Sequence, residues 1–137
     1  MAANLLLSCR QGGVTLMLLV DKSIWVDHLR QSDSLLSEAL GQGLVVEHDW
    51  VIGELACGHI HNRDEVLALL QDLSHGPLAT HQEVMTLIHR EGLMGQGVSY
   101  VDVNLLASCR LGSLQLWTRD RRFKRLANSL VIAGALP

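Results

Sequence analysis

Five consecutive apolar residues, Leu16-Met17-Leu18-Leu19-Val20, stop at Asp21, and a segment with helical spacing (Ile24, Trp25, Leu29) follows at once. An uninterrupted apolar run of this length suits a strand buried on both faces, which is the habit of parallel sheets covered by helices. The pattern recurs along the chain. Strands are predicted over 16–20, 44–46, 114–118 and 130–133, and helices over 23–30, 34–41, 64–73, 81–90, 101–111 and 121–128. The apolar segment 50–57 carries Glu54 and reads as a helix ended by Gly58. Residues 74–77 read as a turn, 78–80 as the start of a strand or a cap, and 92–97 as a glycine-rich connection. Short strands alternating with helices predict an α/β fold, a sandwich around a mainly parallel sheet. In such sheets, sites form beyond the carboxyl ends of the strands.

A chain of 137 residues, 48% of them hydrophobic, fits one domain with a proper core. No apolar run approaches the roughly 18 residues of a membrane span, and no basic residue precedes Leu5-Leu6-Leu7 as a secretory signal would require. Cys9, Cys57 and Cys109 are far apart and in apolar context, as expected of a reducing cytoplasm and not of a disulfide framework or a zinc site. His59 and His61 are close, but no second ligand cluster accompanies them, and they read as loop residues. Residues 1–16 stand apart, with Gly12-Gly13 and no carboxylate. Met17 is a natural start, so 1–16 reads as a non-native or flexible extension, or alternatively as an extra edge element, and the domain as 17–137.

Four acids sit against apolar segments: Asp21, Glu54, Asp102 and Asp120. An ionised carboxylate loses hydration there and needs a partner. Asp21 and Asp120 each follow a predicted strand, and Asp102 falls in the first turn of a predicted helix, where the macrodipole favours it. Four converging carboxylates would repel one another unless a hard divalent cation lay between them. Carboxylate-bound Mg²⁺ or Mn²⁺ is the usual apparatus for cutting phosphodiesters. The net charge of −3 is unusual for a protein that grips a polyanion broadly. A basic cluster, Arg119, Arg121, Arg122, Lys124 and Arg125, nevertheless surrounds Asp120. It reads either as a solvated helix face or as a phosphate contact.

Taken together, Val-Asp-Lys-Ser-Ile-Trp-Val-Asp-His-Leu-Arg, Ile-Gly-Glu-Leu-Ala-Cys-Gly, Val-Asp-Val-Asn-Leu-Leu-Ala-Ser and Leu-Trp-Thr-Arg-Asp-Arg-Arg-Phe resemble the four blocks of a PIN domain of the VapC toxin type, over about 17–133. The resemblance implies a three-layer α/β/α sandwich with Asp21, Glu54, Asp102 and Asp120 as catalytic and metal residues. It implies an Mg²⁺- or Mn²⁺-dependent endoribonuclease, a hydrolase of tRNA, rRNA or mRNA, acting through metal-activated water. Asp21, Asp102 and Asp120 are expected as direct or water-mediated ligands, and Glu54 as a residue that orients water or supports the ligands. Ser23 and Thr118 are expected to support the carboxylates, or simply to cap helices. Arg119 and Arg121 are the candidates for RNA phosphate. The family further implies a cognate antitoxin, expected in an apolar groove near 23–41 and 48–73, and a homodimer. Two departures stand out: Lys22 replaces a common threonine, and Arg122 stands where some relatives carry a further acid.

Other residues carry less. Asp27 reads as exposed on the first helix, Asp33 as a cap, Trp25, Trp50 and Trp117 as core, and Met85 and Met94 as carrying no function. A catalytically weak PIN-like module that binds a protein or nucleic acid is the alternative. A phospho-receiver domain lacks its late strand-end lysine here.

Overall fold

The computed structural model describes residues 10–11, 14–134 and 136–137. The sequence reading of 1–9 and 12–13 lies outside the described residues. Strands β1 (Arg10–Gln11) and β2 (Val14–Thr15) pair antiparallel as a separate two-stranded sheet.

The central sheet is parallel and has four strands: β3 (Leu18–Val20), β4 (Val45–Glu47), β5 (Ser74–His75) and β6 (Gln115–Trp117). Their order is β5-β4-β3-β6. Leu18 pairs with Val45 on one side and Gln115 on the other, and Val20 pairs with Trp117. Every residue of β3 is inaccessible to solvent, as an uninterrupted apolar run requires when helices cover both faces. Removing one such side chain, for instance Leu19→Ala, is expected to cost about 2–5 kcal/mol.

Helices fill the connections. They are α1 (Lys22–Arg30), α2 (Ser34–Gly41), α3 (Asp49–Ala56), α4 (Arg63–Gln71), α5 (His81–Glu91), α6 (Tyr100–Gly112) and α7 (Arg121–Ser129). From β3 the chain steps outward to β4 and β5, then returns across β3 to lay down β6. Right-handed crossovers put helices on opposite faces when that direction reverses. The reversal falls between β3 and β6, and it is there that an open parallel sheet leaves a crevice at its carboxyl edge.

Local chemistry fixes the helix starts. Asp33 caps α2 through Leu36 N–H, and Thr80 with Glu83 forms a capping box on α5. Ser99 with Asp102 does the same on α6. α5 ends at Gly92 in the left-handed region (φ 61°), which glycine enters without a Cβ penalty. Two expectations differ from the structure. Residues 74–75 are an edge strand, not a turn, because two residues suffice to pair with β4. The last predicted strand contracts to a single parallel bridge, Leu116 to Ala133, after α7 runs on to Ser129 and Val131 turns with φ 59°. Among the described residues no helix is long and apolar enough to cross a membrane.

Candidate active site

Asp21 ends β3, caps the backbone of α1, and is 8% exposed. Its Oδ2 accepts hydrogen bonds from Thr118 Oγ1 at 2.7 Å and Ser23 Oγ at 3.0 Å. The same Thr118 oxygen accepts from Asp120 N–H at 3.1 Å, and Ser23 Oγ accepts from Arg119 N–H at 3.0 Å. Ser23 and Thr118 therefore cross-link the ends of β3 and β6. Neither hydroxyl caps its own helix in the manner of the alternative reading.

Asp120 begins α7, and its Oδ1 accepts from Phe123 N–H at 3.0 Å. Asp102, in the first turn of α6, accepts from Ser99 N–H at 3.0 Å through Oδ2. Burial, followed by the charges of Asp21 and Asp120, pushes the Asp102 carboxyl above its ordinary range, against the opposing Ser99 bonds. Asp21, Asp102 and Asp120 thus share one electrostatic neighbourhood, a donor set that suggests a divalent metal. The trio is open: among the described residues, the group of three His, Cys, Asp or Glu side chains with ligand atoms within 4.8 Å of one another is Glu47, Asp49 and His75, elsewhere on the sheet edge.

Glu54 lies on α3, half-buried, with Oε2 3.6 Å from Lys22 Nζ. It shares with Val101, the neighbour of Asp102, a cavity of about 440 Å³ that is also lined by Asp49, Trp50, Gly53 and Cys57. Lys22 thus brings a cation to the fourth acid, where the family resemblance implies a threonine hydroxyl. α3 itself is held to α6 by buried His48: Nδ1 accepts from Trp50 N–H at 3.1 Å, so Nε2 donates to Ser108 at 2.8 Å. Burial holds His48 below its usual pKa, which favours that neutral tautomer.

The basic cluster is dispersed. Arg119 gives both arms of its guanidinium to carboxylates, Nη1 to Asp27 at 2.8 Å and Nη2 to Asp33 at 2.6 Å, and stacks over Trp117. Lys124 donates to the Leu136 carbonyl, and Arg122 packs against Gly97, whose φ of 75° and lack of a Cβ allow the approach. Arg121 is exposed. Trp25 and Trp117 are core, but Trp50 is 42% exposed and meets Tyr100 edge-on at 5.9 Å. His81 Nδ1 lies 2.6 Å from the Tyr100 hydroxyl, so Trp50, Tyr100 and His81 form a row of three rings. His59 and His61 are exposed, as expected of loop residues.

Two curated relatives, both Ribonuclease VapC32 from two strains of Mycobacterium tuberculosis, are 50% identical over 109 residues, covering 79% of this chain and 88% of theirs. The chain belongs to the VapC ribonuclease family. No family model matches it. Among solved structures it is similar to Mycobacterium tuberculosis VapC20, a sarcin–ricin loop cleaving toxin, with a TM-score of 0.59 and 17% identity over 88% of this chain and 99% of that one. That likeness bears on the fold, and the α/β sandwich with a parallel sheet matches a VapC PIN domain. Membership of the family makes the chain a ribonuclease, as the four sequence blocks implied.

Proposed function

We propose that this chain is the toxin of a toxin–antitoxin pair and cleaves RNA endonucleolytically with Mg²⁺ or Mn²⁺ held by Asp21, Asp102 and Asp120. One observation supports the reading: Asp21 and Asp120 stand at the carboxyl ends of β3 and β6, where the sheet order reverses, and their charges add to the burial that raises the pKa of Asp102 at the start of α6. All-oxygen donors favour these hard ions over zinc or copper. When bound, such an ion polarises a phosphoryl oxygen and acidifies a water that attacks in line.

The chain's own residues do the rest. Ser23 and Thr118 fix the Asp21 carboxylate, leaving its second oxygen for the ion or its waters. Glu54, facing the groove from α3, orients water, with Lys22 tempering its charge. Of the pair expected to meet phosphate, Arg121 is exposed and has no acidic partner among the described residues, whereas Arg119 is engaged by Asp27 and Asp33. The antitoxin segment fits the groove of about 330 Å³ between α1 and α3, lined by Val26, Leu29, Leu55 and Ile60 among others. A homodimer and a cytoplasmic location complete the reading.

The test is cleavage of end-labelled tRNA, a structured messenger RNA and a sarcin–ricin loop oligonucleotide by antitoxin-free protein. Mg²⁺, Mn²⁺ and EDTA are compared, with Asp102→Asn as control. Discrete metal-dependent cuts lost in the variant are expected. No cutting together with no metal binding would leave the partner-binding module.

A further inference from the structure

One and two strands away from Asp21, on β4 and β5, the same carboxyl edge of the sheet carries a second constellation that the catalytic reading does not use. Glu47 ends β4, Asp49 begins α3, and His75 ends β5. Glu47 is 1% exposed, yet neither of its carboxylate oxygens takes a hydrogen bond. Oε2 lies 2.8 Å from His75 Nδ1, off the line along which a ring N–H would donate, while Asp49 Oδ1 lies 3.1 Å from the same nitrogen. The other ring nitrogen is committed: Nε2 lies 2.8 Å from the Gln71 carbonyl, which can only accept, so Nε2 carries a hydrogen. In the neutral ring, Nδ1 then presents a lone pair to two carboxyl groups, and with burial pushing Glu47 up to about 7 the contact calls for a proton or a metal ion between them.

A proton on Nδ1 would pair His75 electrostatically with both carboxylates, but its N–H would be donated to Asp49 alone and leave the buried Glu47 without a hydrogen bond. A metal ion answers all three, because coordination tolerates an oxygen well off the nitrogen axis where a hydrogen bond does not. A histidine whose far nitrogen donates to a backbone carbonyl is also oriented as metal-bound imidazoles usually are. We propose that Glu47, Asp49 and His75 form a second cation site, separate from the catalytic acids, which takes Zn²⁺ with water as a fourth ligand. One imidazole with two carboxylates is a donor set zinc accepts and Mg²⁺ does not prefer. Tetrahedral zinc at about 2.0–2.1 Å from its ligands holds them about 3.3 Å apart, so the 2.8 and 3.1 Å spacings of the two carboxylates from Nδ1 need open by only a few tenths of an ångström. The ion would pin edge strand β5 and the end of α4 to the start of α3, the helix that carries Glu54.

The experiment is equilibrium dialysis of the full, metal-stripped chain against micromolar Zn²⁺, with Co²⁺ absorption in the visible as a second readout. The wild-type protein is compared with His75→Gln, Asp49→Asn and Asp102→Asn. His75 and Asp49 are exposed, so circular dichroism should show both variants folded. One equivalent of zinc is expected in the wild type and in Asp102→Asn, with affinity at least tenfold weaker in His75→Gln and Asp49→Asn, and a tetrahedral Co²⁺ spectrum lost in parallel. No zinc bound by the wild type, or the same amount bound after His75→Gln, overturns the site. Zinc held by the exposed His59 and His61 would survive that substitution and count against it.

Discussion

Thr118→Val removes one hydroxyl at almost constant shape and tests whether β3 and β6 are joined through the site. Thr118 is buried, and its hydroxyl donates to the Asp21 carboxylate at 2.7 Å while accepting from Asp120 N–H at 3.1 Å. A hydrogen bond to a charged group is worth about 1.5–3 kcal/mol, and a neutral one about 0.5–1.5 kcal/mol. Valine leaves both partners without this oxygen, and it opens no cavity to confuse the account. The expected loss is about 2–4 kcal/mol, which still leaves a domain of ordinary stability folded. With a urea m-value of roughly 2 kcal/mol/M, the midpoint should fall by about 1–2 M. Thr118→Ser keeps the hydroxyl and should stay within about 1 kcal/mol of wild type. Cleavage by Thr118→Val should fall at saturating Mg²⁺, because Asp21 then keeps only the Ser23 bond. A Thr118→Val protein with a wild-type urea midpoint and wild-type cleavage would refute the cross-link.

Lys22→Thr frees Glu54 from its 3.6 Å ion pair. Such a part-exposed pair is worth at most about 1 kcal/mol, so the Mg²⁺ concentration for half-maximal cleavage should drop by up to about fivefold; an unchanged or raised requirement contradicts the tempering role. Asp33 is held below the ordinary carboxylate range: burial opposes this, but the Leu36 N–H bond and Arg119 prevail. A depressed acid contributes stability above its unfolded pKa and loses it as pH falls through the folded one, so wild type should lose more stability than Asp33→Asn between about pH 6 and about pH 3 in urea titrations. Equal losses in the two proteins would mean the Arg119 bridge adds nothing. Trp50→Ala in the inactive Asp102→Asn background should weaken RNA binding by about 5–150-fold, the worth of one stacked base at about 1–3 kcal/mol; filter binding unaffected by the change would return Trp50 to an ordinary surface role.

Most of the architecture was legible because strand burial and helix periodicity write themselves into short windows. The run ending at Val20 and the spacing of Ile24 and Trp25 need no tertiary information. Contacts between distant segments do need it. Arg119 looked like a free cation because Asp27 and Asp33 lie more than eighty residues away in sequence, and their approach depends on how α1 and α2 wrap the end of β6. Trp50 sits in an apolar run, yet the first turn of α3 turns it outward. Glu47 had the same local signature as Asp21, an acid closing an apolar strand. What set it apart, the neighbouring His75, was invisible while 74–77 read as a turn.

The acids of the site also hold up the scaffold. Asp102 completes a capping box and Asp120 caps α7, so each carboxylate that repels its neighbours also satisfies orphan amides at a helix start. Three helix N-termini aim their positive ends at the trio and offset part of its repulsion without any ion. Drift in this lineage is therefore channelled. On the proposed reading an alanine at 102 or 120 should remove activity and about 1 kcal/mol of cap together, whereas asparagine should remove the charge and keep the cap. Descendants that abandon RNA cleavage but go on folding should carry asparagine or serine at these two positions, and a silent site of this kind would betray its ancestry by what it kept.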